Sequence, residues 1–92
     1  HINIEVESNI KACDIDAHDI DAHDIDACNI KAWNIKACNI EANDINAWNI
    51  KAWNIYYYYF CIAYYSFKCK SAKSNRVNSI CKCLDGKIEY IK

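Results

Sequence analysis

The chain has 92 residues and a formal net charge of −1, which together fit one small domain. Its apolar share of 53% is too high for a disordered segment. No apolar run approaches the ~20 residues that a membrane-spanning helix needs, so we expect no membrane partner.

Residues 1–11 predict a leading strand. Apolar side chains alternate at Ile2, Ile4 and Val6, which is the period of two that a half-buried strand shows. We expect this strand to enter the first coil of the fold that the following residues predict.

One five-residue phrase then occupies residues 12–55. The phrase is Ala-x-Asn/Asp-Ile-x, and it occurs nine times from Ala12 to Ile55. A short fixed period predicts a solenoid, in which each coil packs only on its neighbours. A helix is excluded because a five-residue period drifts around the helix axis and leaves no apolar stripe.

The spacing within the phrase predicts which side chains face inward. Ile and the Ala two residues later share one face of an extended segment, so we predict that they form the core. The residue between them and the variable residue after Ala then face solvent. We expect Asn or Asp at the corners, since these residues tolerate left-handed backbone geometry and bond their own backbone.

The phrase resembles the pentapeptide-repeat family over residues 12–55. Members of that family fold as right-handed, square β-helices with four pentapeptides per coil, and some of them look like duplex DNA and inhibit gyrase. In the family Ala directly precedes Asn or Asp, and Leu or Phe follows. Here a further residue such as Cys13 or Trp33 lies between Ala and Asn/Asp, and Ile replaces Leu or Phe. The resemblance implies a right-handed β-solenoid.

Coil size has two solutions. Twenty residues per coil stack three residues on one face, Cys13, Trp33 and Trp53, and place His18 over Cys38. Fifteen residues per coil, the alternative, stack acids on bases: Lys11 with Asp26, Asp16 with Lys31, and Asp21 with Lys36. Surface pairs contribute only ~0–1 kcal/mol each. We therefore expect twenty residues, because the resemblance and the room that Ile needs outweigh the charge pattern.

Residues 56–92 predict the final coils and a cap. The aromatic run after Ile55, followed by Phe67 and Cys69, continues the inward positions with less regular side chains, and residues 71–79 predict a loop. A turn at residues 84–87 makes residues 81–84 and 87–91 a closing hairpin that covers the open edge. This ending also resembles uncharacterised bacterial repeat proteins, which implies no function. The predicted fold class is all-β, a single solenoid over residues 1–92 with a C-terminal strand or hairpin cap.

We expect no catalytic residues, no cofactor and no functional metal site. Covalent catalysis needs a base beside the nucleophile, and the histidines lie far in sequence from the cysteine-rich tail. A zinc site needs about four converging ligands, whereas consecutive repeats point to different sides of a solenoid. The weak metal candidates are His18, Cys38, Cys69, Cys81 and Cys83.

Outward aromatic side chains predict an interaction surface, because exposed aromatic patches mark interfaces. The predicted interaction surface comprises Trp33, Trp48, Trp53, Tyr57 and Tyr59. The alternative is that these rings stack laterally on the solenoid itself. A basic patch is predicted at Lys68, Lys70, Lys73, Arg76 and Lys82.

The charges are divided along the chain. Residues 1–55 carry ten acidic and four basic side chains, and residues 56–92 carry two acidic and seven basic ones. This asymmetry suits association of the chain with itself. We expect a non-enzymatic structural or interaction protein that forms a homo-oligomer or filament, with another protein as the other class of partner.

Two alternatives stay open. The acidic run from Asp14 to Asp26 favours a DNA-mimicking modulator of gyrase or topoisomerase, although Lys31, Lys36 and Lys51 interrupt it. A small metal- or nucleic-acid-binding module is the second alternative, with nucleic acid disfavoured. The seven cysteines, an odd number, indicate free thiols, and together with the lack of a visible leader they favour a cytoplasmic location.

Overall fold

The computed structural model describes residues 3–5 and 9–91, which form an all-β solenoid of about four turns. This confirms the predicted fold class. The strands are β1 (Asn3–Glu5), β2 (Asn9–Lys11), β3 (Asp14–Asp26), β4 (Asn29–Cys69), β5 (Ser71–Lys73), β6 (Ile80–Cys83) and β7 (Ile88–Tyr90). No helix in the described part of the chain is long and apolar enough to cross a membrane.

All seven strands belong to one sheet that winds along the solenoid axis. β1 and β2 pair with β3, β3 pairs with β4, and β5, β6 and β7 each pair with β4. Every one of these pairings is parallel. β3 and β4 are long because most corners leave the backbone extended, whereas bends at Cys13 and Cys28 interrupt the strands.

The register shows fifteen residues per coil in the repeat region, so the prediction of twenty is wrong and the alternative is confirmed there. Ile15 pairs with Ile30 and Ala17 with Ala32. The physical reason is that one Ile from each of three sides already fills the space around the axis, because the other inward residue on each side is a small Ala. The same register places Asp16 on Lys31, as the charge pattern indicated.

The coils lengthen towards the C-terminus. Asn54 pairs with Ser71, a spacing of seventeen residues, whereas Phe60 pairs with Ile80 at a spacing of twenty. The added residues lie at corners and in the irregular segment between β5 and β6. The inward positions therefore keep their alignment although the phrase has ended.

The core consists of the Ile and Ala columns, as predicted. From Ile15 to Ile55 every Ile and every intervening Ala is buried. Beyond Ile55 the inward positions continue with a less regular set, namely Cys61, Ala63, Phe67, Cys69 and Cys83. Full burial of one Ile contributes about 1.5–3 kcal/mol, so the axis of the solenoid is the main source of its stability.

The Asn/Asp positions stabilise the corners differently from the prediction. No described residue has a positive φ, so left-handed corner geometry is wrong. Instead, the side chains bond between coils: Asn34 Nδ2 donates to Asp19 Oδ1 at 2.6 Å, and Asn49 Nδ2 donates to Asn34 Oδ1 at 2.7 Å. Extended corners bring these short polar side chains into register, where each bond contributes about 0.5–1.5 kcal/mol.

The predicted closing hairpin is wrong. β6 and β7 do not pair with each other, because each adds in parallel to a different stretch of β4. The turn at Leu84 and Asp85 is a coil corner, at which both amides donate to carbonyls of the preceding coil. The leading strand is present as β1 and β2; Ile2 and Val6 lie outside the described residues.

Candidate interaction surface

The variable residue of each phrase points outward, as predicted, and the register sorts these residues into three columns along the axis. The first column contains Cys13, Cys28 and Asn43, the second His18, Trp33 and Trp48, and the third His23, Cys38 and Trp53. Each side of the solenoid therefore presents a different column. The stacking of His18 over Cys38 and of Cys13 over Trp33 is wrong, because it required the twenty-residue coil.

The second column continues into the next coil as a row of rings in contact, here named the aromatic ridge: His18, Trp33, Trp48, Tyr64 and Tyr65. Ring centroids are 5.3 Å apart for His18 and Trp33 and 5.1 Å apart for Trp33 and Trp48, with interplanar angles of 24° and 13°. Trp48 then meets Tyr65 at 4.7 Å with the rings tilted by 51°, and Tyr64 at 5.4 Å with the rings nearly perpendicular. The coil spacing of ~4.8 Å imposes this stack.

Stacking covers the ring faces of the ridge and leaves outer edges open. Trp33 is 47% exposed although both of its faces have a ring neighbour. The alternative of lateral stacking is therefore confirmed for Trp33 and Trp48. Trp53, at 48% exposure, lies in the third column and has no ring contact within the described residues.

A furrow runs beside the ridge. Its floor is the alanine column, its second wall is formed by Asp16, Lys31 and Asn46, and its volume is about 460 Å³. The inward turn of each Ala between two outward residues creates this furrow. It separates a row of rings from a row of charged and polar side chains on one side of the solenoid.

Corresponding furrows lie on the other two sides. The one beside Cys38 and Trp53 is smaller, about 170 Å³, and has Lys36 and Lys51 on its wall. The third is lined by Cys28, Asn43 and three tyrosines among others. Only the side that carries the ridge combines a continuous ring stack with a furrow among the described residues.

The tyrosine run forms a separate cluster. Tyr58 and Tyr59 meet edge to face at 4.6 Å, and the Arg76 guanidinium carbon lies 4.5 Å from the Tyr59 ring centre. Tyr57, predicted to face outward, is half-buried and packs against the core. Burial accordingly raises the pKa of the Tyr57 hydroxyl. The reason is that Tyr57 occupies the inward position that Ala holds in the earlier coils.

The predicted basic residues are exposed but lie on different sides of the final coils. Lys73 pairs in register with Tyr56, Lys82 with Ile62, and Lys68 with Glu89. Lys68 also approaches Glu89 at 3.7 Å between Nζ and Oε2. These bases give the C-terminal coils a positive rim rather than a single patch.

The metal candidates are dispersed. His18 and Cys38 belong to different columns, and Cys69 and Cys83 are buried in the core. No group of three or more metal-ligating side chains occurs in the described ranges. Cys81 pairs in register with Cys61, and a hydrogen bond between these thiols lowers the pKa of Cys81 and, together with burial, raises that of Cys61.

Hydrogen bonds lower the pKa values of two carboxyl groups in the first repeated coil. The bond from Asn34, followed by one from His18, lowers the pKa of Asp19. The bond from Asn39 does the same for Asp24, whose Oδ1 lies 3.2 Å from His23 Nδ1. Asn side chains of successive coils bond to one another and to these acids, an arrangement here named the Asn ladder. The two acids are charged acceptors at one end of this ladder.

Three features of this surface escaped sequence reasoning: the ridge positions of Tyr64 and Tyr65, the contact of Arg76 with Tyr59, and the adjacency of Cys13 and Cys28. The last of these was visible in the spacing of fifteen residues. The other two depend on residues added at corners after the phrase ends.

The architecture defines the class of protein as a β-solenoid of short repeats. No family model matches the chain, and no curated protein or solved structure matches it significantly.

Proposed function

We propose that the protein is a non-enzymatic structural module that self-associates through the aromatic ridge. The observation that carries the proposal is a continuous row of rings in contact, half-exposed at Trp33, along one side of the solenoid. Exposed aromatic rows beside polar furrows have the composition of an interface core with a polar rim.

Stacking also prepares the ridge for binding. Ordering a free aromatic side chain at an interface opposes association, whereas rings that already hold one another lose little freedom on contact. Sugars stack on open ring faces, and the faces of Trp33 are occupied by His18 and Trp48. The geometry therefore favours a second protein surface over a carbohydrate.

The charge distribution favours a two-fold, antiparallel contact between two ridges. Acidic side chains dominate the first repeated coil, from Asp14 to Asp26, and bases dominate residues 56–92. A two-fold axis across the ridge brings the acidic coil of one copy towards the basic coils of the other. Such an isologous contact closes as a dimer.

The experiment compares two tryptophans of equal exposure on different sides. Sedimentation velocity over a range of concentrations should show wild-type dimers, and Trp33→Thr should weaken association at least about tenfold, as loss of an aromatic anchor does. Trp53→Thr, the matched control, should associate like the wild type. A wild type that stays monomeric at the highest concentration, or two variants with equal effects, would overturn the proposal.

The DNA-mimic alternative has narrower support. Six outward aspartates from Asp14 to Asp26 form an acidic band, but in the following coil five of them pair with Asn or Lys and Asp26 pairs with Glu41. On the other side Asp21 pairs with Glu5, and Asp26 pairs with Lys11. The acidic side chains are thus concentrated in one coil, and in register with it only Glu5 and Glu41 extend the band among the described residues. The pentapeptide-repeat resemblance on which this alternative rests also implies four phrases per coil, whereas three are present. A gyrase supercoiling assay that excess protein leaves unchanged would remove this alternative.

A further inference from the structure

Two exposed thiols meet at one corner of the solenoid. Cys13 and Cys28 lie fifteen residues apart in successive coils, and their Sγ atoms are 3.6 Å apart. The backbone joins the same corner, since the amides of Cys28 and Asn29 both donate to the Cys13 carbonyl at 2.7 and 3.0 Å. Asn43 follows in the column, so the thiols form an isolated pair.

The geometry of this corner suits a disulfide. Asp14 and Asn29 are partners in register, and parallel neighbours lie ~4.8 Å apart, within the Cα separation of ~4.4–6.8 Å that disulfides span. Cys13 and Cys28 lie at bends outside the strands, so their side chains can rotate without breaking the strand ladder. Only the last ~1.5 Å between the sulfurs has to close, to a bond of ~2.05 Å.

We propose that Cys13 and Cys28 form a thiol–disulfide exchange site that reacts with a small-molecule disulfide such as oxidised glutathione and locks the first repeated coil onto the second. In the first step the thiolate of one cysteine of the pair attacks one glutathione sulfur, forms a mixed disulfide and releases one glutathione thiolate. In the second, the other cysteine, once deprotonated, attacks the cysteine sulfur of this mixed disulfide and releases the second glutathione. The protein loses two electrons and two protons, and one glutathione disulfide becomes two thiols.

The surroundings of Cys13 disfavour its thiolate. The hydrogen bond with Cys28 and the negative charge of Asp14 raise the pKa of Cys13, so little of its thiolate is present at neutral pH. Attack by Cys13 is therefore slow and accelerates as pH rises. The second step is intramolecular between adjacent sulfurs, so the mixed disulfide does not accumulate.

The other thiols differ in ways that make the pair selective. Cys38 lies in a column with His23 and Trp53 and has no thiol beside it. Cys61, Cys69 and Cys83 are buried. Cys81 is half-buried beside Cys61, so it is the competing site, and its products lie on different proteolytic fragments from those of Cys13.

Mass spectrometry tests the pairing directly on the full chain. Folded protein is treated with oxidised glutathione near pH 8, where more thiolate is present than at neutral pH, then quenched with acid, alkylated and cut with trypsin. Cleavage after Lys11 and Lys31 places both cysteines on one peptide, residues 12–31. We expect this peptide two hydrogens lighter and free of alkyl groups.

Matched variants separate the steps. Cys28→Ser should accumulate glutathione on Cys13, whereas Cys38→Ser should still close the bond. Amide exchange of residues in the first repeated coil should slow by about tenfold or more in the oxidised protein, because the bond opposes opening of that coil. Circular dichroism checks that each variant is folded.

Three results would overturn the proposal: a fully alkylated 12–31 peptide after Cys81 has reacted, oxidation of Cys13 only in bonds between two chains, or a mixed disulfide that persists in the wild type. None of these depends on whether the aromatic ridge self-associates, because the bond joins two coils of one chain.

Discussion

Asn34 donates through Nδ2 to Asp19 and accepts through Oδ1 from Asn49, so each amide in the interior of the ladder uses both of its functions. A carboxylate can only accept hydrogen bonds. This suits the first repeated coil, where the side chains accept from the next coil and donate to no further coil of the ladder. Asp44 is an exception, because it is an acid that does not lie in the first repeated coil. It follows Asp14 and Asn29 at the spacing of fifteen residues, and Asn29 donates to Asp14. The Oδ1 atom of Asp44 is buried and has no hydrogen-bond partner among the described residues, so the ladder stops there.

Asp44→Asn should therefore stabilise the protein. The new amide can donate to the Asn29 oxygen, which restores one bond and removes a buried unpaired carboxylate oxygen, for a gain of about 0.5–1.5 kcal/mol in the free energy of unfolding. Urea denaturation followed by circular dichroism measures the change. Asn34→Asp is the reverse control, since it places two acceptors against each other at Asp19, and it should destabilise. Equal effects of both variants would show that the ladder contributes nothing.

At the scale of the strands, position along the axis determines how much each Ile contributes. Ile40 in β4 is 0% exposed and pairs with Ile25 in β3, with Ile55 one coil further. Ile15 is 5% exposed and belongs to the first repeated coil. Because each coil interacts only with its neighbours, an inner coil loses contacts on two sides when its Ile is shortened.

Ile40→Ala should accordingly cost more than Ile15→Ala. We expect about 3–5 kcal/mol for the inner site, at the upper end for an Ile-to-Ala cavity, and less at the outer site, where the coil can relax into the space. Thermal unfolding with both tryptophan fluorescence and circular dichroism provides the comparison. The two losses would be equal if the solenoid unfolded as one unit with a uniform core.

The strands also show which features the sequence predicts and which it does not. Spacing within the phrase predicted the buried Ile and Ala and the outward Trp33, because a two-residue period is local information. Coil size was not local, and the charge pairing of Lys11 with Asp26 was the correct signal for it. After Ile55 the phrase ends, so added corner residues hid Tyr64 and Tyr65 from prediction. A turn at residues 84–85 has the same composition whether the chain reverses or rounds a corner.

On the scale of the whole molecule, the ridge and the charge gradient act together in the proposed contact. The ridge supplies apolar contact that salt does not screen, whereas attraction between the acidic first coil and the basic final coils is screened over ~10 Å at 0.1 M salt. Steering of this kind changes association rates more than the final affinity. The two contributions can therefore be separated by ionic strength.

Raising salt from about 0.02 to about 0.5 M should slow association of the wild type by about tenfold or more while the dissociation rate changes little, as expected for steered encounters. Surface-immobilised protein with a second copy in solution provides both rates. Lys82→Gln should flatten the salt dependence, because this exposed base pairs in register with Ile62, two residues before Tyr64 of the ridge. Trp33→Thr should instead raise the dissociation rate and keep the salt dependence. If salt strengthened the association, apolar contact alone would hold the dimer and the antiparallel arrangement argued from charge would be wrong.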